Sequence, residues 1–117
     1  MKNRTFFDSI KCAFRGLAHG LKTEKNFKFY CVIFVCFLAV NFCCKADCVE
    51  YLVMITATGG VFSAELLNTA IEHLADCITT EIHSGLRIAK DIAASGVLVW
   101  GMVFFLCEAV IIGRAFL

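Results

Sequence analysis

Three long stretches of this chain carry almost no charge, and they constrain the fold more than any other feature. Residues 29–44 and 92–107 each form an uncharged run of 16 residues, and residues 51–71 form a run of 21 residues interrupted only by Glu65. A helix needs roughly 20 apolar residues to cross the hydrocarbon core of a bilayer, and lysines that flank a shorter run can extend their amines to the surface. The sequence therefore predicts an all-α membrane protein with three transmembrane helices.

The first 28 residues differ from the rest because they are amphipathic and charged. Seven basic and two acidic side chains lie there. Apolar residues recur between them at helical spacing, at Phe6, Phe7, Ile10, Phe14, Leu17 and Leu21. This pattern is typical of a helix that lies on a membrane surface. The excess of positive charge suits anionic lipid headgroups better than nucleic acid, for which no recognition motif is present.

The organisation along the chain is simple, because no repeat, low-complexity tract or linker interrupts it. We expect a single domain over residues 1–117, with a turn near residues 79–85. The predicted helices are a surface helix at about 4–22 and spans at about 27–46, 49–76 and 87–115. Most Lys and Arg residues lie in 1–28 and a smaller group lies in the second loop, so the positive-inside rule places the N-terminus and residues 72–91 in the cytoplasm.

The second span contains a polar stripe within the segment AELLNTAIEHLAD, residues 64–76. On a helix, Glu65, Asn68, Glu72 and Asp76 fall within about 80° of one another. An ionised carboxylate at the depth of Glu65 costs several kcal/mol unless it is paired or neutralised. Glu65 alone is compatible with a protonated side chain that hydrogen-bonds a neighbouring helix, and Asn68 alone with ordinary interhelical bonding. Together they predict a functional site.

Further acidic and basic residues lie at the predicted cytoplasmic level of this stripe. Glu24 precedes the first span at the level of Glu72, and carboxylates that converge from two helices suit Mg²⁺, which keeps other positions for water and phosphate oxygens. Asp76 is also compatible with a solvated interfacial charge. In the following loop, Lys90 and Asp91 are candidates for a phosphate contact and a second acidic group, or for a membrane-anchoring Lys beside an acid at a helix start.

The order and spacing of these segments resemble one protein family. AELLNTAIEHLAD, then EIH at 81–83 and IAKDIAASGVL at 88–98, with FRGL and TEKNF upstream, are similar to the prokaryotic diacylglycerol kinase and undecaprenol kinase family over nearly the whole chain. The resemblance implies a bacterial plasma-membrane (inner-membrane) enzyme, a homotrimer with three spans per chain and an N-terminal surface helix. It also implies transfer of the γ-phosphate of ATP to a lipid hydroxyl, with Mg²⁺ as cofactor and the active site in the cytoplasm.

By position, the resemblance implies that Glu65 is the catalytic base and that Glu24 and Glu72 bind the metal ion. Six more polar residues are implied to contact the nucleotide or to support the site: Asn68, Asp76, Glu81, His83, Lys90 and Asp91. Tyr30 stands where many members have His. The TEKNF segment is more similar to undecaprenol kinases of Gram-positive bacteria than to enterobacterial diacylglycerol kinases, which favours undecaprenol as the lipid substrate and leaves diacylglycerol as the alternative.

A third interpretation is a non-enzymatic bundle, such as a transporter subunit or a proton-conducting oligomer lined by Glu65 and Glu108. Such a pathway needs polar residues through the whole membrane thickness. In this sequence they are concentrated in the cytoplasmic half, and Glu108 is the exception. The simplest expectation for Glu108 is an interfacial position near Arg114. The distribution of acids therefore favours the lipid kinase.

Overall fold

A computed structural model describes residues 5–78, 81 and 83–117, and in these residues the only regular structure is four α-helices. They are α1 (Phe6–Thr23), α2 (Lys25–Cys43), α3 (Cys48–Ile78) and α4 (Ser84–Phe116). By length and composition, α2, α3 and α4 are each able to cross a membrane. The predicted all-α architecture with three such helices is thus confirmed. Residue 4 of the predicted surface helix and residues 79, 80 and 82 of the predicted turn lie outside the described residues.

Local signals in the sequence set most of the helix ends. Thr5 caps α1 through a reciprocal pair of hydrogen bonds with Asp8, of 3.2 and 3.3 Å. Asp47 and Glu50 form the same kind of capping box at the start of α3, with distances of 2.8 and 3.0 Å. Such boxes satisfy backbone N–H groups that have no partner within the helix. Both boxes lie outside the apolar runs.

The first span ends earlier than the sequence suggested. We predicted a helix to residue 46, whereas α2 ends at Cys43 and Cys44 occupies the C-cap position. Lys45 adopts the left-handed backbone conformation, with φ of 56°, and a residue in that conformation commonly terminates a helix. The tight turn that follows brings the chain directly into α3.

Helices α3 and α4 form the most extensive contact of the bundle. The close contact between α3 and α4 depends on Gly60, because a Cβ at that position would overlap the indole ring of Trp100. Beside this contact lies a small apolar core of Met54, Ala57, Val61 and Phe104. Aromatic and aliphatic side chains of α2 pack against the core. Helix α2 is thus held against the pair formed by α3 and α4.

Helix α1 contacts the bundle near its C-terminal end, where Gly20 lies against Leu66 and Phe27. Phe27 is fully buried and its ring meets that of Phe62 edge to face, with centroids 5.7 Å apart. Glu24, in extended conformation, separates α1 from α2. The apolar side chains that suggested a surface helix remain exposed in the single chain. That α1 lies on the membrane surface stays a prediction.

Near the end of the bundle where α2 leads into α3, Glu108 contradicts our expectation of an interfacial position beside Arg114. It is 1% exposed, and the Asn41 side-chain amide donates to its Oε1 over 3.2 Å. Arg114 instead donates to Glu50 at the start of α3, with its Nε 3.0 Å from Oε2. The reason is helical phase, since residues six apart on one helix point about 120° away from each other. Asn41 and Glu108 thus join α2 to α4.

The Asn41–Glu108 pair yields a stability prediction. Asn41→Leu leaves the buried carboxyl of Glu108 without its donor and should lower the free energy of unfolding by about 1–3 kcal/mol. Asn41→Leu combined with Glu108→Met removes both polar partners and should recover most of that loss. Circular dichroism during unfolding in detergent measures both effects. Strictly additive losses in the double variant would show that the two side chains do not stabilise each other.

Candidate active site

A cleft of about 660 Å³ lies between α2, α3 and α4 and is lined by three of the predicted site residues, Glu65, Asn68 and Glu72. We refer to it as the catalytic cleft. Helix α2 contributes Asn26 and Tyr30, and α3 contributes Glu65, Asn68 and Glu72. The wall from α4 consists of Ala94, Val97, Leu98, Gly101, Met102 and Phe105. The cleft is polar on two sides and apolar on the third.

Glu65 is the most deeply placed acid of the polar stripe. Its side chain is 3% exposed. The Asn26 amide donates to Oε1 and the Tyr30 hydroxyl donates to Oε2, each over 3.4 Å. Both distances are long for hydrogen bonds of these types, so each contact is weak. The two contacts from α2 orient the carboxylate but do not use all of its acceptor sites. It can therefore accept a proton or another hydrogen bond.

Asn68 and Glu72 lie one and two turns from Glu65 toward the end of α3. The Asn68 amide donates to Oε1 of Glu72 over 3.1 Å, as residues four apart on a helix allow. Asn68 is 7% exposed, and its Oδ1 is buried without a hydrogen-bond partner among the described residues. The amide oxygen and the neighbouring carboxylate together offer the hard oxygen ligands that Mg²⁺ prefers.

Asp76 and Lys90 form an ion pair beyond the cleft. Lys90 Nζ lies 2.8 Å from Oδ1 of Asp76, and the Asp76 side chain is 67% exposed. The pair links the end of α3 to the first turns of α4. The Lys90 amine therefore points at a carboxylate in this structure, and not into the catalytic cleft. Since an exposed ion pair is weak, an anionic ligand can compete with Asp76 for this amine.

His83 has a structural position that the sequence did not predict. It caps α4, with Nδ1 accepting from the backbone N–H groups of Gly85 and Leu86 at 3.1 and 3.4 Å. Glu81 is exposed on the connection before α4, and Asp91 is exposed on its second turn. Glu24 is half-buried between α1 and α2 and does not line the catalytic cleft. The structure thus groups Glu65, Asn68 and Glu72 in one cleft, and the other candidates do not line it.

Asn26 and Tyr30 are site residues to which the sequence analysis assigned no role. They lie four residues apart on α2 and therefore share one helix face. The sequence feature that could have identified them is their i, i+4 spacing at the start of an apolar run, since a polar side chain at membrane depth usually has a hydrogen-bond partner. Nothing in the sequence indicated that Glu65, on another helix, is that partner. Among the described residues, no three His, Cys, Asp or Glu side chains form a ready-made metal site.

A buried carboxyl next to an apolar cleft, with further oxygen ligands toward the helix end, defines a site where a lipid alcohol can meet a phosphate donor. This arrangement is compatible with a membrane lipid kinase. The chain belongs to the family described as prokaryotic diacylglycerol kinase, which it matches over residues 11–112. It is therefore a phosphotransferase of membrane lipids, as the resemblance predicted.

Individual relatives support the same class. The chain is 39% identical over 98 residues to a protein named undecaprenol kinase from Bacillus subtilis, covering 84% of this chain and 80% of that one. It is 30% identical over 106 residues to a diacylglycerol kinase of Haemophilus influenzae, covering 84% and 90% of the two chains. A diacylglycerol kinase of Synechocystis is 28% identical over 110 residues, covering 93% of this chain and 60% of its own length.

Two substitutions of His83 distinguish a role as the cap of α4 from a direct contact with the nucleotide. His83→Ala removes the acceptor for two backbone N–H groups and should destabilise the protein by about 1 kcal/mol. His83→Asn supplies another good capping side chain and should restore both stability and kinase activity. Thermal unfolding and turnover are measured on the same preparations. Restored stability with activity still lost would instead assign the imidazole a direct contact with substrate.

Proposed function

We propose that this chain phosphorylates undecaprenol, with ATP as the phosphate donor and Glu65 as the general base, and that its four helices form one catalytic domain. The observation that carries the proposal is the position of Glu65. Its buried carboxylate lies where the polar end of the catalytic cleft meets the apolar wall of α4. A lipid hydroxyl can reach this carboxylate while its hydrocarbon chain stays out of water.

In the proposed reaction, Glu65 accepts the hydroxyl proton of the lipid as the oxygen attacks the γ-phosphorus of ATP. The bond between that oxygen and phosphorus forms, the bond from the γ-phosphorus to the bridging oxygen breaks, and ADP leaves. Asn26 and Tyr30 orient the carboxylate through the two hydrogen bonds described above. Phosphoryl transfer depends mainly on alignment and on neutralised charge, so a small set of residues is sufficient.

Asn68 and Glu72 are the residues of the catalytic cleft that would hold Mg²⁺. The unpartnered Oδ1 of Asn68 and the adjacent Glu72 carboxylate fit a hard cation with oxygen ligands. Glu24 is proposed as a third contributor on the basis of the family resemblance. When bound, Mg²⁺ would neutralise charge on the phosphate oxygens. Glu81, His83, Asp91 and the Asp76–Lys90 pair are proposed to support nucleotide binding at the mouth of the site.

The choice of undecaprenol over diacylglycerol rests on the α4 wall. Every α4 residue that lines the catalytic cleft is glycine or apolar. A prenol has a single hydroxyl on a hydrocarbon chain, whereas diacylglycerol brings ester carbonyls that lose hydrogen bonds to water when they enter such a wall. The relative named undecaprenol kinase agrees with this choice. Diacylglycerol remains the second candidate, on the strength of the two relatives named diacylglycerol kinase.

The proposed location is the bacterial inner membrane, with the N-terminus and the active site on the cytoplasmic side. The distribution of Lys and Arg supports this orientation. Glu65, Asn68 and Glu72 lie in the half of α3 that leads to the basic second loop, where ATP is available. The outer end then carries the Glu50–Arg114 pair and the turn between α2 and α3.

A homotrimer is proposed from the family resemblance and from an unpartnered face of α3. Gly59 and Ser63 are exposed on this face, and an added Cβ at Gly59 would meet no other atom within 4 Å. Exposed apolar side chains continue the same side of the helix at Leu52 and Leu74. Small residues in a transmembrane helix favour close approach of another helix.

Replacement of the proposed base tests the reaction directly. Glu65→Gln keeps the size and the hydrogen-bonding shape of the side chain but cannot accept the proton, so turnover should fall by about 10²–10⁴-fold. Glu50→Gln, at the other end of the same helix, is the matched control and should retain activity. Purified protein is assayed with ATP and Mg²⁺ against undecaprenol and diacylglycerol in parallel. Near-normal turnover of Glu65→Gln would refute the assignment, and faster turnover of diacylglycerol would reverse the order of the two lipids.

Native mass measurement in detergent tests the oligomer. We expect a particle of three 12.9 kDa chains, and Gly59→Leu should weaken it, because the larger side chain keeps the neighbouring helix at a distance. Ala109→Leu, at an exposed position of α4, is the control and should leave the trimer intact. Detection of monomers alone under conditions of full activity would contradict the proposal.

A further inference from the structure

A second cleft, which we name the chain cleft, lies beside the catalytic cleft and deeper in the bundle. It has a volume of about 360 Å³ and lies between α2, α3 and α4. Phe34, Val61, Phe62 and Phe104 are among the apolar side chains that line it. The hydroxyl of Thr58, also in its wall, donates to the backbone carbonyl of Met54 over 2.8 Å. The lining thus favours a hydrocarbon occupant.

The two clefts share part of their walls. Tyr30, Gly101 and Phe105 line both of them. Gly101 lies at this shared boundary, and a Cβ added there would meet no other atom within 4 Å. The absence of a side chain at residue 101 therefore leaves open space where the catalytic cleft adjoins the chain cleft. Any larger residue would project into that space.

The chain cleft also lies deeper along α3 than Glu65, the proposed base. Along α3, Val61 and Thr58 are about 6 and 10 Å deeper than Glu65, at 1.5 Å per residue. The Tyr30 hydroxyl contacts Glu65, while its ring lines both clefts. A molecule with its polar end at Glu65 would therefore pass Tyr30 and enter the chain cleft with its apolar part.

We propose that the chain cleft binds the part of the lipid alcohol nearest its hydroxyl, and that Gly101 determines whether a long chain can enter. This inference rests on the proposed function. A cavity of ~150 Å³ holds benzene, so by proportion this cleft accommodates on the order of a dozen carbon atoms, or about two isoprenoid units. The lining that the two clefts share at Tyr30, Gly101 and Phe105 points to the lipid substrate as the occupant.

The contacts of α2 limit how much of the lipid's hydrocarbon chain can be enclosed. Helix α2 is joined to Glu65 through Asn26 and Tyr30 at one end, and to Glu108 through Asn41 near the other. The chain cleft lies between these two sets of polar contacts. A lipid longer than the cleft therefore leaves it for the bilayer before it reaches Asn41, so specificity is determined near the hydroxyl end and not by total length.

A comparison of long and short alcohols tests this. Gly101→Leu should lower the ratio of kcat/KM for farnesol to kcat/KM for 3-methyl-2-buten-1-ol by roughly tenfold or more, because the longer chain must pass residue 101. Gly113→Leu is the control, since Gly113 is also on α4 and also has open space around an added Cβ. It should leave the ratio unchanged. Equal losses for both alcohols in Gly101→Leu would overturn the proposal.

Photo-crosslinking of the unaltered protein is a second test of the proposal, and it does not depend on whether the Gly101→Leu variant folds. A farnesol analogue with a diazirine in its second isoprenoid unit should label peptides that contain Phe62 or Phe104. Labelling confined to outward-facing residues such as Leu67 and Leu106, which are 67% and 68% exposed, would overturn the proposal. If the protein phosphorylates neither undecaprenol nor diacylglycerol but the probe still labels the chain cleft, the proposed function fails and the binding site stands.

Discussion

A bilayer offers no hydrogen-bonding partners, and this constraint organises the polar side chains of the protein. A buried polar group in a span is therefore stabilised by a partner on its own or another helix. Glu65 meets Asn26 and Tyr30, and Glu108 meets Asn41, so both acids connect to α2. The apolar core of Met54, Ala57, Val61 and Phe104 lies between these two polar groups. These polar contacts at both ends of α2 accompany the apolar packing that holds this helix against α3 and α4.

In the proposed reaction, one helix serves two substrates from different phases. Glu65 lies beside the apolar walls, and Glu72 follows two turns later toward the helix end. Their separation is set by the rise of an α-helix, about 1.5 Å per residue, and not by loop flexibility. A lipid hydroxyl and a nucleotide phosphate can thus be aligned by rigid backbone geometry. A single residue inserted between these acids would rotate one of them by about 100° and destroy the alignment.

The features that the sequence predicted are those that depend on one helix at a time. The three long helices follow from the length of the apolar runs, and the grouping of Glu65, Asn68 and Glu72 follows from helical periodicity. Contacts between helices were not predictable in this way. Asn26 and Tyr30 gave no sign of their partner, Glu108 was wrongly expected near Arg114, and Lys90 faces Asp76. The cap that His83 forms on α4 was also not predictable, because a single His in a loop does not reveal which backbone groups it meets.

The contact between Gly60 and Trp100 provides a natural spectroscopic probe. Trp100 is the only tryptophan in the sequence, and its ring lies against the backbone of α3 at Gly60. The adjacent residue on α4 is Gly101, which lines both clefts. Fluorescence from this one indole therefore reports on the seam between α3 and α4, next to the proposed lipid-binding region. Movement of the two helices relative to each other can be followed by its emission and quenching, without an added label and in the intact membrane.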